Sequence, residues 1–243
     1  MALSLISINV EFDKHYDTVL PFLEKEAADV VCVQELFERD IARFEAVCGP
    51  LVAFAPDALH HEDASEILGS ALFSRLPATN VTEHYYVGSR ETVRQDDGKS
   101  DVGTHSLVAA DIGSEGYRIA TTHFMWTRDG QSTPEQLRTL DTLFGVLDSL
   151  NAFVLAGDFN APRGNETFTR LASRYTDNIP RSYETSIDVE KHKTRDIPEA
   201  RARVSKYMVD GLFTTPEYTA KDVRLEFGLS DHAAIIATIE KAA

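Results

Sequence analysis

The feature that most constrains this chain is a set of short apolar runs that end abruptly in side chains able to hydrogen-bond or ionise. Leu155-Ala156-Gly157-Asp158-Phe159-Asn160 is one, and Leu229-Ser230-Asp231-His232, entering Ala233-Ala234-Ile235-Ile236, is another. Val33-Gln34-Glu35 and Ser7-Ile8-Asn9 repeat the pattern. A run such as Asp29 to Gln34, apolar almost throughout, is expected of a strand covered on both faces. Several such runs with amphipathic segments between them require sheets buried between other layers.

The remaining elements follow from period and punctuation. Strands are expected at Leu3 to Val10, Leu51 to Ala55, Ile67 to Ser74, Val81 to Val87, Thr104 to Ile112 and Tyr117 to His123, the last two joined by a hairpin turn at Gly113-Ser114-Glu115-Gly116. Ala152 to Ala156, Tyr207 to Phe213, Lys221 to Phe227 and Ala233 to Ile239 read as further strands. Helices are expected at Tyr16 to Glu26, Glu38 to Val47 and Glu166 to Tyr175. Another begins at Thr133-Pro134-Glu135-Gln136, with Thr as N-cap and Pro at the first position. Ser89 to Asp101 reads as a loop, and Tyr183 to Ser205 as a long polar stretch. No Gly-Ser or Pro-rich boundary interrupts the chain, so residues 1–243 are expected to form a single domain. Two packed sheets with helices outside are the expected architecture.

Composition narrows the partners. The formal charge is −15, from 39 acidic against 24 basic residues. A protein that grips long nucleic acid carries a basic surface, so nucleic acid is disfavoured here except through a local patch. Arg181 to Lys206 is such a patch, with seven bases against five acids. Its plain alternative is a solvated loop. Cys32 and Cys48, the only cysteines, form neither a disulfide framework nor a zinc cluster, and Cys32 reads as a buried thiol. Met1-Ala2-Leu3-Ser4 carries no basic region and its apolar stretch stops at Asn9, so neither a signal peptide nor a membrane span is expected there. A soluble, cytoplasmic monomer without membrane insertion is expected.

Most polar residues that could do chemistry fall at strand ends: Asn9, Glu35, His123, Asp158, Asn160, Asp231 and His232. Asp210 lies inside an apolar strand, where a charge is costly unless it is paired or binds something. Singly, each has a structural alternative. Asn9 suits a turn, Glu35 a helix dipole, His123 a satisfied buried site, and Asp210 an ion pair. Together they outline a site for a hard metal and a phosphate.

At these positions the chain resembles the endonuclease/exonuclease/phosphatase superfamily. The matching motifs are Ser7-Ile8-Asn9, Val33-Gln34-Glu35, Gly69-Ser70-Ala71-Leu72-Phe73-Ser74-Arg75, Thr121-Thr122-His123-Phe124, Gly157-Asp158-Phe159-Asn160, Val209-Asp210-Gly211-Leu212-Phe213 and Ser230-Asp231-His232. The resemblance implies an α/β fold, a four-layer αββα sandwich of two packed mixed β-sheets flanked by helices. It also implies phosphoester hydrolysis with Mg²⁺, or Mn²⁺ as a substitute. By resemblance, Glu35 is the main metal ligand with Asn9 and Asp231 beside it. Asp158 handles the attacking water, Asn160 a phosphate oxygen, and His123 the phosphate or leaving group. His232, oriented by Asp210, contacts the phosphate or acts as acid/base. Arg75, Trp126 and Lys206 are expected to contact substrate. Ile8 stands where the better-known members often have Trp, and His123 departs from the Tyr-bearing motif of AP endonucleases. The expected substrate is a small or terminal phosphoester. A nuclease or end-processing enzyme is the alternative, and an inactive scaffold is the third reading.

Overall fold

Alternation along the first strand, β1 (Leu3–Asn9), divides its side chains between two cores: Leu3 and Leu5 enter one, Ile6 and Ile8 the other. The same division runs through β2 (Val30–Phe37), where Val30 and Cys32 oppose Val31 and Val33. Both faces are covered, which is why this run reads as continuously apolar. The computed structural model describes residues 2–95 and 103–242.

The strands form two mixed six-stranded sheets. The first runs β11 (Tyr218–Glu226), β12 (Ala234–Lys241), β1, β2, β4 (Ile67–Ser74), β3 (Leu51–Leu59). The second runs β5 (Ala78–Val87), β6 (His105–Ile112), β7 (Tyr117–His123), β8 (Val154–Asp158), β10 (Asp210–Thr214), β9 (Thr176–Asp177). Leu3, Leu5 and Leu72 of the first sheet meet Val108, Ile119 and Val154 of the second in the middle core. Helices α1 (Tyr16–Glu26) and α2 (Ile41–Cys48) cover the outer face of the first sheet with Val19, Leu23 and Phe44. Helices α3 (Pro134–Ser149) and α4 (Glu166–Arg174) cover the second with Leu140, Leu147 and Phe168. Each such side chain, fully buried, stabilises by roughly 1.5–3 kcal/mol. The expected four-layer sandwich is therefore present.

Each sheet contains one parallel pair, which needs a crossover. Helix α1 carries β1 over to β2, and α3 carries β7 over to β8. Parallel register sets Asn9 beside Gln34 in one sheet and His123 beside Asp158 in the other. Polar strand ends from both sheets thus emerge at one edge of the sandwich.

The start of α3 matches its signal: Pro134 opens the helix and Thr133 accepts from Gln136 N at 3.1 Å, while the Gln136 amide donates to Met125 O at 2.9 Å. Strand β10 starts at Asp210, not Tyr207, because Val209 and Asp210 N–H groups both donate to Ser186 Oγ at 3.1 Å. Asp210 therefore stands at a strand end like the others. The polar stretch from Tyr183 contains a further helix, α5 (Pro198–Val204). In the expected loop Ser89 to Asp101, residues 90–92 form a 3₁₀ turn, while 96–101 lie outside the described residues. Both cysteines are buried and free. Among the described residues, no helix is long and apolar enough to cross a membrane.

Candidate active site

Local backbone geometry at the shared edge is specialised. Gly157, just before Asp158, has φ 153°, and a Cβ there would lie 2.1 Å from Thr122 O. Only glycine lets β8 approach β7 this closely. Glu35 (φ 57°) sits in an irregularity between Val33 and Leu36, and Asn160 has φ 48°. Such left-handed residues cost about 1–3 kcal/mol each and cluster where a side chain has to be aimed.

The side chains converge. Asn9 Nδ2 donates to Glu35 Oε1 at 2.9 Å and to Asp158 Oδ2 at 3.2 Å, linking the two sheets. Asn9 Oδ1 accepts from Glu11 N at 3.0 Å, so the amide nitrogen rather than the oxygen faces the carboxylates. As oriented, Asn9 braces Glu35 and Asp158 instead of presenting the oxygen expected of a metal ligand. His123 Nε2 lies 3.8 Å from Glu35, 3.6 Å from Asp158 and 3.0 Å from Asn160 Nδ2. The Asn160 amide also donates to Phe124 O at 2.9 Å, and its backbone N–H donates to Asp158 Oδ1 at 2.8 Å. His232 Nδ1 donates to Asp210 Oδ2 at 2.8 Å, and its Nε2 lies 3.7 Å from Asp158.

Burial and mutual charge shift these groups. Burial opposes a charge on His232, but Asp210 and Asp158 outweigh it and hold the imidazole well above the usual histidine range. Burial raises the Asp158 carboxyl, with Asp210 adding to the effect. Burial, then Glu11 and Glu35, push Asp231 up to about 7 against the opposing His232 and Lys14. Glu11, itself bound to Lys14 at 2.5 Å and His15 at 2.9 Å, is lowered because the bonds to these two partners outweigh burial.

Glu11, Glu35 and Asp231 thus form a carboxylate group whose repulsion a hard dication would relieve, and their oxygens suit Mg²⁺ or Mn²⁺. Asp158, Asp210 and His232 form a second candidate group, with ligand atoms all within 4.8 Å. There His232 Nδ1 is already committed to Asp210. In the first group Lys14 and His15 occupy both Glu11 oxygens, which leaves Glu35 and Asp231 to meet a cation.

A cleft of about 510 Å³ opens over the site. Glu35, His123, Asp158, Asn160, Asp231, His232 and the 43 % exposed Trp126 line it. Arg75 does not. Strand β4 runs antiparallel to β2, pairing Ser74 with Val30, so Arg75 lies at the far end of the sheet and donates to Val47 O. Lys206 is exposed and also absent from the lining. The basic stretch is largely neutralised: Arg181 meets Asp177, Arg195 meets Asp196, Arg201 meets Glu190 and Arg203 meets Asp129. Lys193 lines the cleft and has no ion pair among the described residues.

Sequence reasoning missed Glu11, Lys14, Asp57 and His192 in this lining. Glu11 was legible as the residue two positions beyond Asn9. Asp57 continues the inward parity of Ala53 and Ala55. Two residues that brace this edge were also missed. Ser186 anchors Val209 and Asp210, and Asp188 accepts from Gly228 N at 2.7 Å while its own N–H donates to Asp231 O at 2.8 Å.

Two mixed sheets enclosed by helices, with polar strand ends of both meeting at one edge, define the αββα sandwich class. The sequence profile of the Endonuclease/Exonuclease/phosphatase family matches residues 6–232, and the chain belongs to that family. No curated protein matches it in sequence. Among solved structures, an endonuclease/exonuclease/phosphatase from Bacteroides vulgatus is 15 % identical, covers 100 % of both chains and has a TM-score of 0.70. A mannosyl-6-phosphatase from Bacteroides thetaiotaomicron is 9 % identical over 98 % of this chain and 99 % of that one, with a TM-score of 0.68. The human Nocturnin catalytic domain is 13 % identical over 99 % and 94 %, also with a TM-score of 0.68. At these identities the likeness concerns the fold.

Proposed function

We propose that this chain is a metal-assisted phosphoesterase acting on a small or terminal phosphoester. The carrying observation is the charge at the cleft centre. Glu35, Asp158 and Asp231 line it together beyond the ion-paired Glu11, and a phosphate approaching these carboxylates calls for a compensating cation. Mg²⁺, held by Glu35 with Asp231 and exchangeable for Mn²⁺, would neutralise phosphate oxygens and the departing oxygen.

The chain's own residues supply the rest. Asp158, made more basic by burial and braced by Asn9 and the Asn160 N–H, orients a water and draws off its proton. His232, kept protonated by Asp210, donates through Nε2 to a phosphate oxygen. Asn160 and His123, 3.0 Å apart, act together on the phosphate and leaving oxygen. Neutralisation of the basic stretch supports a small substrate over a long polyanion. On this reading residues 1–243 act as one catalytic domain, a monomer in the cytoplasm.

The test is a Mg²⁺-dependent screen of phosphomonoesters, phosphodiesters, single- and double-stranded nucleic acid and phospholipid head groups. Activity on small or terminal esters should vanish with chelator and return with Mg²⁺ or Mn²⁺. Glu35→Gln should stay folded and lose the thermal-shift response to Mg²⁺. Full activity in chelator, or no activity on any substrate, would overturn the proposal.

A further inference from the structure

One cleft residue has no part in the chemistry above. Asp57, near the end of β3, is 7 % exposed, lines the same cleft as Glu35 and Asp158, and belongs to none of the motifs. Ser70 Oγ donates to its Oδ2 at 2.7 Å and Ser106 Oγ to its Oδ1 at 2.8 Å. Both partners are neutral hydroxyls, and Asp57 forms no ion pair among the described residues. A buried carboxylate with neutral partners is costly. If Asp57 served packing alone, asparagine would make two bonds to the same serines without the charge.

Each carboxylate oxygen accepts about two hydrogen bonds. The serines use one on each, and the cleft is where further donors can enter. Those donors are not phosphate, which a carboxylate repels. Neutral hydroxyl groups satisfy the remaining acceptors directly, whereas an ammonium would form an ion pair there, an outcome that the phosphocholine arm of the experiment below reads. Phe12, Ala58 and Leu68 on the same stretch of lining offer apolar surface to carbon-bound hydrogens.

Resting on the phosphoesterase reading, we propose that Asp57 forms a leaving-group subsite for neighbouring hydroxyls, so that the substrate is a sugar or polyol phosphoester. Phosphate would sit over Asp158 and His232, and the alcohol would extend along the cleft to Asp57.

The experiment compares wild type and Asp57→Asn, both with Mg²⁺, on glucose 6-phosphate, glycerol 3-phosphate, phosphocholine and p-nitrophenyl phosphate. Losing a charge-assisted contact should lower kcat/KM for the two polyol esters roughly tenfold to a hundredfold relative to the aryl ester, mostly through KM. Competition on the wild-type chain gives a reading independent of the variant. A hexose 6-phosphonate should inhibit hydrolysis of the aryl ester at least about tenfold more strongly than methylphosphonate. Parallel losses on all substrates, a preference for phosphocholine, or equal inhibition by the two phosphonates would overturn the subsite while leaving the phosphoesterase reading intact. A chain that hydrolyses none of these esters, nor any other in the Mg²⁺ screen, overturns both.

Discussion

Asp57 also makes a prediction about stability that needs no substrate. Burial raises its carboxyl from 3.8 to about 6, against smaller opposing effects of His123, Ser70 and Ser106. The folded chain thus holds this proton more tightly than the unfolded chain does. Between those two values the native state binds more protons, so this contribution to stability falls as pH rises. It is fully favourable below pH 3.8 and fully lost above about 6. At about 1.4 kcal/mol per pKa unit, the whole effect is roughly 3 kcal/mol. Asp57→Asn keeps both serine contacts, one of them reversed in direction, and cannot ionise. Urea denaturation of both proteins at several pH values isolates the effect, because other groups cancel in the difference. From about pH 4 to pH 8, Asp57→Asn should gain roughly 2 kcal/mol relative to wild type. Curves that stay parallel within about 0.5 kcal/mol would refute the reasoning, showing that the buried charge is compensated.

Asp158→Asn and His232→Ala should each lower turnover by roughly a hundredfold or more, the scale of losing a positioned acid or base. Asp158→Asn should move the urea midpoint little, whereas His232→Ala strips the buried Asp210 of its partner and should lower it. Variants that lose stability yet keep full activity per folded molecule would make these residues structural. Binding to random duplex should be weak, with a log–log salt slope of about one, as a single free lysine at the rim implies. Lys193→Glu should weaken it, because Lys193 lines the cleft and forms no ion pair among the described residues. Nanomolar duplex affinity with a steep slope would favour the nuclease alternative.

That Asp158, Asn160 and Asp231-His232 meet at one cleft was legible because polar or ionisable side chains end apolar runs there. Strand positions were legible for the same reason, since burial on both faces leaves a continuous apolar trace. Strand β3 runs on to Leu59, past the expected end at Ala55, and so carries Asp57, which the shorter strand left out. Arg75 was misplaced because a motif gives order along a strand, not which end of the sheet that strand reaches. Lys206 and the stretch around it looked basic in one dimension. Partners distant in sequence, such as Asp129 for Arg203, become visible only after folding. The amide orientation of Asn9 depends on the Glu11 N–H, a backbone contact that side-chain chemistry does not reveal.

The hydrogen bond from Asn9 to Asp158 joins groups carried by different sheets. Glu35 rides on the same sheet as Asn9, whereas His123 and Asn160 ride with Asp158. If the proposed site is the reacting one, its geometry is a gauge of how far apart, and in what lateral register, the two layers lie. Close-packed interiors transmit small displacements, and misplacement by about 1 Å can cost a hundredfold in rate. A volume change in the middle core, at Ala156 or Val108 for example, would push the layers apart by a fraction of that distance. The sandwich could absorb the change with modest loss of stability. The reaction edge, built half from each layer, has no such slack, so rate should fail well before the fold does.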